Sequence, residues 1–396
     1  MNQRELFLKH VAQTSPEPLA LEIVKAEGMH LYDASGKVFL DLIGGISVCN
    51  TGHRHPKIVE AIKLQADKYL HLLVYGEFVQ SPQVDYATTI AASLPASLNA
   101  VYFTNSGAEA TEGAMKLAKR VTNRTQIVAF KNSYHGSTQG ALSIIGDEYW
   151  RNAYRPLLPD ILHLDYNADE VPDQISTRTA CVIMETVQAE SGILKPRPEW
   201  IKAVAAKCKS TGALLVLDEI QAGFGRTGSL WAFESFGIVP DILLSGKALG
   251  GGMPLGAFIA DKTLMQTLSG DPVLGHITTF GGHPVSCAAG LASIKLLQTE
   301  PWINEVAEKE KLFHELLDHP AILAKRSAGL WMAIEFESFD FNKKVIDRCL
   351  HHGLLTDWFL FNSRSMRIAP PLIISRDDIK EACAILLRSI EEVIRH

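Results

Sequence analysis

Two stretches decide how this chain is read: Ala213-Leu214-Leu215-Val216-Leu217-Asp218-Glu219-Ile220-Gln221 and Ser245-Gly246-Lys247-Ala248-Leu249-Gly250-Gly251-Gly252-Met253-Pro254. The first is a continuous apolar run that stops on a carboxylate, Asp218. A short unbroken run of this kind suits a strand buried in an α/β sheet. The second places one lysine, Lys247, in a glycine-rich turn after another apolar run. On that turn alone the lysine can be solvated, phosphate-binding or reactive. The P-loop pattern wants Gly, four residues, then Gly-Lys-Ser/Thr. Asp241 stands where its first Gly should be, and Ala248 follows the lysine.

Outward from these runs, short apolar stretches alternate with helical ones from about residue 85 to 300, the pattern of an α/β domain with a mostly parallel sheet. The strands expected are Ala100–Thr104, Ile127–Phe130, Ala180–Glu185, Leu214–Asp218, Asp241–Ser245 and Leu255–Ile259. Helices are expected at Ala108–Val121, Glu199–Ser210 and Pro284–Leu297. Asn105, Glu185, Asp218 and Ser245 close their runs, and ligands of open α/β sheets bind at the carboxyl ends of strands. Toward the N-terminus the pattern gives a helix, Arg4–Thr14, and strands Val24–Glu27, His30–Asp33 and Val38–Asp41. Toward the C-terminus it gives helix Ile303–Leu317, strand Leu330–Phe336, helix Lys343–His351, strand Arg364–Ile368 and helix Arg376–Arg395. The expected division is 1–48 and 301–396 as two parts of a smaller α+β domain, around a large domain at 49–300.

The chain has 396 residues, 47% of them hydrophobic and 21% charged, enough for a substantial core. A net charge of −6 argues against a nucleic-acid or anionic-membrane surface. Cys49, Cys181, Cys208, Cys287, Cys349 and Cys383 are scattered, with no CxxC pair. That usage fits a reduced, cytoplasmic protein without disulfides or structural zinc. The first residues hold no long apolar stretch, so no secretory signal is expected, and no run reaches membrane-spanning length.

Asn105-Ser106-Gly107-Ala108-Glu109 follows a strand and opens a helix. Ser106, Gly107 and Ala108 can form a phosphate cup at that helix start, or Ser106 and Glu109 can be an ordinary capping box. Tyr134, in Tyr134-His135-Gly136, can stack on a flat ring or belong to the core. Thr278-Thr279-Phe280-Gly281-Gly282-His283-Pro284 precedes another helix, and its hydroxyls can meet a phosphate or merely form a turn. His53 and His55 lack a third ligand for a metal.

An amine at one strand end and an anion at another are what pyridoxal 5'-phosphate chemistry needs: one captures the aldehyde, the other keeps the ring nitrogen protonated. Taken with Asp41–Val48, Gly52–Pro56, the DEIQxGFGRTG segment from Asp218 to Gly228, and Arg367–Leu372, these motifs resemble the class III pyridoxal-phosphate aminotransferases over almost the whole chain. This family includes acetylornithine, ornithine and 4-aminobutyrate aminotransferases. The resemblance implies fold type I and a ping-pong transfer of an amino group to a 2-oxo acid. It implies Lys247 as the Schiff-base lysine and Asp218 as the ring-nitrogen partner. Gln221 would meet the ring hydroxyl and Tyr134 the ring face. Ser106, Gly107 and Ala108 would hold the phosphate, with His135, Glu185 and Thr278 also near the cofactor. Thr279 would come from the neighbouring subunit of a homodimer with shared active sites. Glu190 and Arg367 resemble a gated pair, the arginine binding an α-carboxylate and the glutamate covering it when an ω-amino substrate is bound.

The departures concern the substrate. Many such enzymes follow the aromatic with His-Gly-Arg, whose guanidinium grips a distal carboxylate. Here the sequence is His135-Gly136-Ser137, and a serine cannot replace that bidentate grip. The glutamate-bearing segment reads Glu185-Thr186-Val187-Gln188-Ala189-Glu190-Ser191-Gly192, and His283 replaces the usual Asn. An acetylornithine- or ornithine-like donor is the first expectation. An ω-amine:pyruvate transaminase or an aminomutase is the alternative. A pyridoxal-phosphate-sensing regulator would need a DNA-binding appendage, and no helix-turn-helix pattern or basic face is present.

Overall fold

The computed structural model describes residues 2–74 and 76–395. A seven-stranded sheet forms its centre, in the spatial order Ala100–Thr104, Gly256–Ala260, Ile242–Ser245, Leu214–Asp218, Thr179–Glu185, Gln126–Phe130, Ile161–Leu164. The pairs from Ile242–Ser245 through to Ile161–Leu164 are parallel. Gly256–Ala260 alone runs the other way, antiparallel to both of its neighbours. The strands Thr179–Glu185, Ile242–Ser245 and Gly256–Ala260 are buried at every residue, which is why their sequence is apolar without alternation.

Helices cover the sheet, and their ends follow local chemistry. Gly107–Thr122 is capped by the Ser106 hydroxyl and stopped by Asn123 in the left-handed conformation. Pro198–Thr211 starts on a proline and ends at Gly212, also left-handed. Register puts Glu185 opposite Asp218 and Asp218 opposite Leu244. The carboxyl ends of these strands therefore share one edge.

A four-stranded sheet joins Ile23–Glu27, His30–Asp33 and Val38–Asp41 to Leu354–Leu355, so both chain ends meet in it. A second four-stranded sheet holds Ala324–Ser327, Met332–Glu335, Asn362–Ile368 and Asp357–Phe359. Arg226 ties the parts together. It is fully buried and donates to the carbonyls of Leu330 and Pro370, each at 2.6 Å, and to Asn50 Oδ1 at 2.5 Å.

Several expected elements differ at their ends. The first helix is Gln3–His10, not Arg4–Thr14, because an exposed Val11 turns extended at its end with no apolar face to bury. Helix Val306–Leu316 starts later than expected, and strand Met332–Glu335 is shorter. Helices Pro56–Lys68 and Ser81–Ala92 and strand Ile161–Leu164 were not anticipated. No helix among the described residues is long and apolar enough to cross a membrane.

Candidate active site

A cavity of about 280 Å³ opens at the shared strand edge, lined by Gly107, Ala108, Tyr134, Ser137, Glu185, Glu190, Asp218, Gln221, Lys247 and Trp331 among others. It brings together most of the residues expected from the sequence. Lys247 follows Gly246, which is extended, and itself takes a left-handed φ of 48°. Such a conformation is costly for a residue with a side chain and is held in place by its surroundings. Its Nζ donates to Gln221 Oε1 at 3.2 Å. Burial lowers the Lys247 pKa, and Arg367 adds to this against the opposing pull of Glu190, Asp218 and Glu185.

Asp218 and His135 form a buried pair, Nδ1 to Oδ2 at 2.7 Å. Asp218 Oδ1 accepts the Ile220 amide at 2.9 Å. Burial alone would strip the His135 proton, but Asp218 and then Glu185 outweigh it and the pKa is raised. Glu185 accepts the amides of Tyr134 at 2.9 Å and Ala189 at 2.8 Å. Burial still pushes its carboxyl up to about 8, with the Asp218 charge adding to the rise. The turn carrying Tyr134 needs Gly136: its φ is +124°, and a Cβ there would lie 2.5 Å from the Ala108 Cβ. Only glycine lets this turn approach the start of the Gly107–Thr122 helix.

The two readings of Ser106 are both partly realised. Its Oγ accepts the Glu109 amide at 3.2 Å, as a cap does, whereas Glu109 turns to the Asn105 amide at 2.9 Å and leaves the box open. Gly107 and Ala108 face the cavity, and first-turn amides have no helical carbonyl to bond. Tyr134 Oη and Ser137 Oγ lie 3.0 Å apart. Thr278 and Thr279 stand outside this cavity; Thr278 accepts from Asn105 Nδ2 at 2.8 Å, and Thr279 is exposed. His53 bonds Asp41 Oδ2 at 2.7 Å and His55 caps the Lys57 amide, so both imidazoles have structural partners. Among the described residues no cluster of three or more metal-ligating side chains forms.

Arg367 lies buried behind the cavity-lining Glu190, Nη2 to Oε2 at 3.0 Å. Sequence reasoning missed Asp357, whose Oδ1 lies 2.9 Å from Arg367 Nε, and Trp331, which walls the cavity with Val187, Ala189 and Ala222. No local motif marks Asp357: its place opposite Arg367 comes from a short antiparallel strand pair. Trp331 follows a glycine-bearing bend and had no motif to mark it.

A primary amine, a carboxylate hydrogen-bonded to a histidine, a helix start with free amides, and an aromatic at the mouth match the chemistry of pyridoxal phosphate: aldehyde, ring nitrogen, phosphate and ring face. With the doubly covered, mostly parallel sheet they define a fold-type I pyridoxal-phosphate-dependent transferase. The chain belongs to the class-III aminotransferases, whose family model matches residues 11–390. It is 37% identical over 385 residues to an acetylornithine aminotransferase of Caldanaerobacter subterraneus subsp. tengcongensis, covering 94% of this chain and 95% of that one. It is 36% identical over 383 residues to a putrescine aminotransferase of Pectobacterium atrosepticum, covering 92% and 80%. A crystal structure of the ornithine aminotransferase from Toxoplasma gondii, with partial occupancy of PLP at its active site, superposes with a TM-score of 0.89. That match has 27% identity and covers 99% and 94% of the two chains. The protein is thus a pyridoxal-phosphate-dependent aminotransferase that moves an amino group from a donor to a 2-oxo acid.

Proposed function

We propose that the donor is a primary amine at the end of a carbon chain that carries no carboxylate at its far end. The far wall of the cavity carries this reading: beyond Lys247 it offers Val187, Ala189, Ala222, Trp331, Tyr134 and Ser137. Lys247 is the only lysine or arginine among the described lining residues. A donor's distal carboxylate would leave water there without a guanidinium to receive it. Acetylornithine or ornithine remains the second reading, supported by what the relatives are called.

The roles follow from position. Pyridoxal phosphate, when bound, supplies an aldehyde that captures amines and a ring that accepts electrons. Lys247 Nζ is the anchoring amine. Its lowered pKa makes a neutral nitrogen accessible, so it can take a proton from the donor's reacting carbon and later release it. Asp218 would hold a proton on the ring nitrogen, with His135 hydrogen-bonded behind it at 2.7 Å. Gln221 orients Lys247 and would meet the ring hydroxyl. Glu185 pins the backbone of Tyr134, whose side chain would pack on the ring. The Gly107 and Ala108 amides would receive the phosphate, with Ser106 fixing the helix start. Glu190 covers Arg367 while an ω-amine is in place and yields it to the carboxylate of the 2-oxo acid.

The same reading makes the enzyme a homodimer with shared sites. Val79, which lines one groove with Thr278 and Gly281, is 93% exposed, and Phe280 beside Thr279 is exposed too, an unusual apolar cost for a free surface. A second copy over this face would carry Thr278 and Thr279 to the other site's phosphate. Its six cysteines, all unpaired, suit a reducing cytoplasm. We divide the chain into 49–300 and a smaller unit of 1–48 with 301–396, supported by the pairing of Leu40 with Leu354.

The test is the yellow absorbance of the reconstituted protein as single amines are added without an oxo acid. Faster bleaching by carboxylate-free mono- and diamines than by N-acetylornithine is expected. The reverse order would replace this reading with the second one.

A further inference from the structure

Arg367 faces more negative charge than one guanidinium balances. Its Nη2 donates to Glu190 Oε2 at 3.0 Å and to the Trp358 carbonyl at 3.1 Å. Its Nε lies 2.9 Å from Asp357 Oδ1, a charge contact whose N–H is not aimed along that line. The Phe359 ring lies 4.6 Å from the guanidinium carbon. Nη1 is buried and has no hydrogen-bond partner among the described residues. Glu190 comes from a turn outside this strand pair; its backbone carbonyl accepts the Phe361 amide at 3.0 Å and its Oε2 also accepts the Leu360 amide at 2.9 Å, so it can leave Arg367 only by rotation of its side chain. Asp357 is fixed by the backbone itself, because the strands Asp357–Phe359 and Asn362–Ile368 are paired with Asp357 directly opposite Arg367.

An incoming carboxylate can therefore displace Glu190 but still meets Asp357. We propose that Asp357 is a specificity-determining residue that weakens every ligand carrying a carboxylate on the reacting carbon and leaves carboxylate-free amines untouched. It steers the amine half reaction toward ω-amines at the cost of a higher KM for the 2-oxo acid. The proposal rests on the cavity being the aminotransferase site described above.

The charged groups around Asp357 are Arg367 on the paired strand, Glu190 on the loop and Asp41 on the neighbouring sheet. Burial raises the Asp357 carboxyl to about 6, helped by Glu190 and Asp41 and opposed by Arg367. Its charge is thus lost as pH falls through that value, and carboxylate ligands should bind more tightly there.

The experiment uses reconstituted wild-type enzyme and Asp357→Asn. The probes are propionate by calorimetry, pyruvate in steady state, and bleaching by n-butylamine. The variant is expected to bind propionate about tenfold more tightly, from removal of one nearby charge. Its pyruvate KM should fall similarly, with kcat and n-butylamine bleaching unchanged. Unchanged or weaker propionate binding by the variant would overturn the proposal. Wild-type enzyme gives a second test that needs no substitution: its propionate affinity should fall as pH rises through about 6. A flat profile refutes the role of Asp357. Failure of n-butylamine to bleach wild-type enzyme would instead count against the donor reading, while the propionate titration still reports on Arg367.

Discussion

Asp218→Asn removes charge from the centre of the site and keeps its shape. The wild-type carboxylate contacts His135 Nδ1 at 2.7 Å, with both side chains buried, and takes the Ile220 amide at 2.9 Å. Asparagine can keep the Ile220 bond but offers His135 no charge. Breaking a buried ion pair by removing one partner typically costs ~3–5 kcal/mol. Here the cost has an escape, because His135 holds its extra proton only through Asp218 and Glu185 against burial. Without Asp218 the imidazole sheds that proton, and a neutral pair short of one good hydrogen bond costs about 1 kcal/mol. On the mechanism proposed above turnover has no such escape, since among the described lining residues only Asp218 is given the ring nitrogen. If the carboxylate is worth ~3–5 kcal/mol to the transition state, turnover falls by about two to four powers of ten at 1.36 kcal/mol per tenfold. Denaturant unfolding of the apoprotein measures the first quantity, and stopped-flow bleaching by a single amine measures the second. A half reaction within tenfold of wild type, with cofactor retained, would refute the role of Asp218. A stability loss of full ion-pair size would refute the proton-release argument.

Lys247→Ala should abolish steady-state transamination, and added methylamine should restore a fraction of it; substantial unaided turnover would remove Lys247 from the mechanism. Ser137→Arg places a guanidinium at the exposed mouth of the cavity, beside Tyr134. A charge-assisted hydrogen bond is worth ~1.5–3 kcal/mol, so kcat/KM for N-acetylornithine should rise about ten- to hundredfold while n-butylamine is unaffected. Light scattering of the holoenzyme should give the mass of two chains. Thr279→Ala should weaken pyridoxal phosphate retention without dissociating the pair, and a monomer with full activity would contradict the shared site.

Much of this site was legible in the sequence because strand ends announce themselves. Asp218 and Ser245 close apolar runs, and register along the sheet then brings their neighbourhood together. The reversed strand Gly256–Ala260 was harder to read, since its run is as apolar as that of a parallel strand and direction leaves no mark on periodicity. Helices Pro56–Lys68 and Ser81–Ala92 escaped notice because each buries only two residues, leaving a thin apolar stripe. Asp357 was invisible for a different reason: its meaning comes from facing Arg367 across a strand pair, a relation no local motif encodes. Likewise the left-handed backbone at Lys247 is imposed by the packing of its turn and not by the residue itself.

The central claim is that Lys247 holds the cofactor. Borohydride reduction of the reconstituted enzyme, followed by digestion and mass spectrometry, fixes the cofactor to whichever amine carries it. The account predicts one modified peptide, containing Lys247. Modification at another lysine, or none at all, would contradict it.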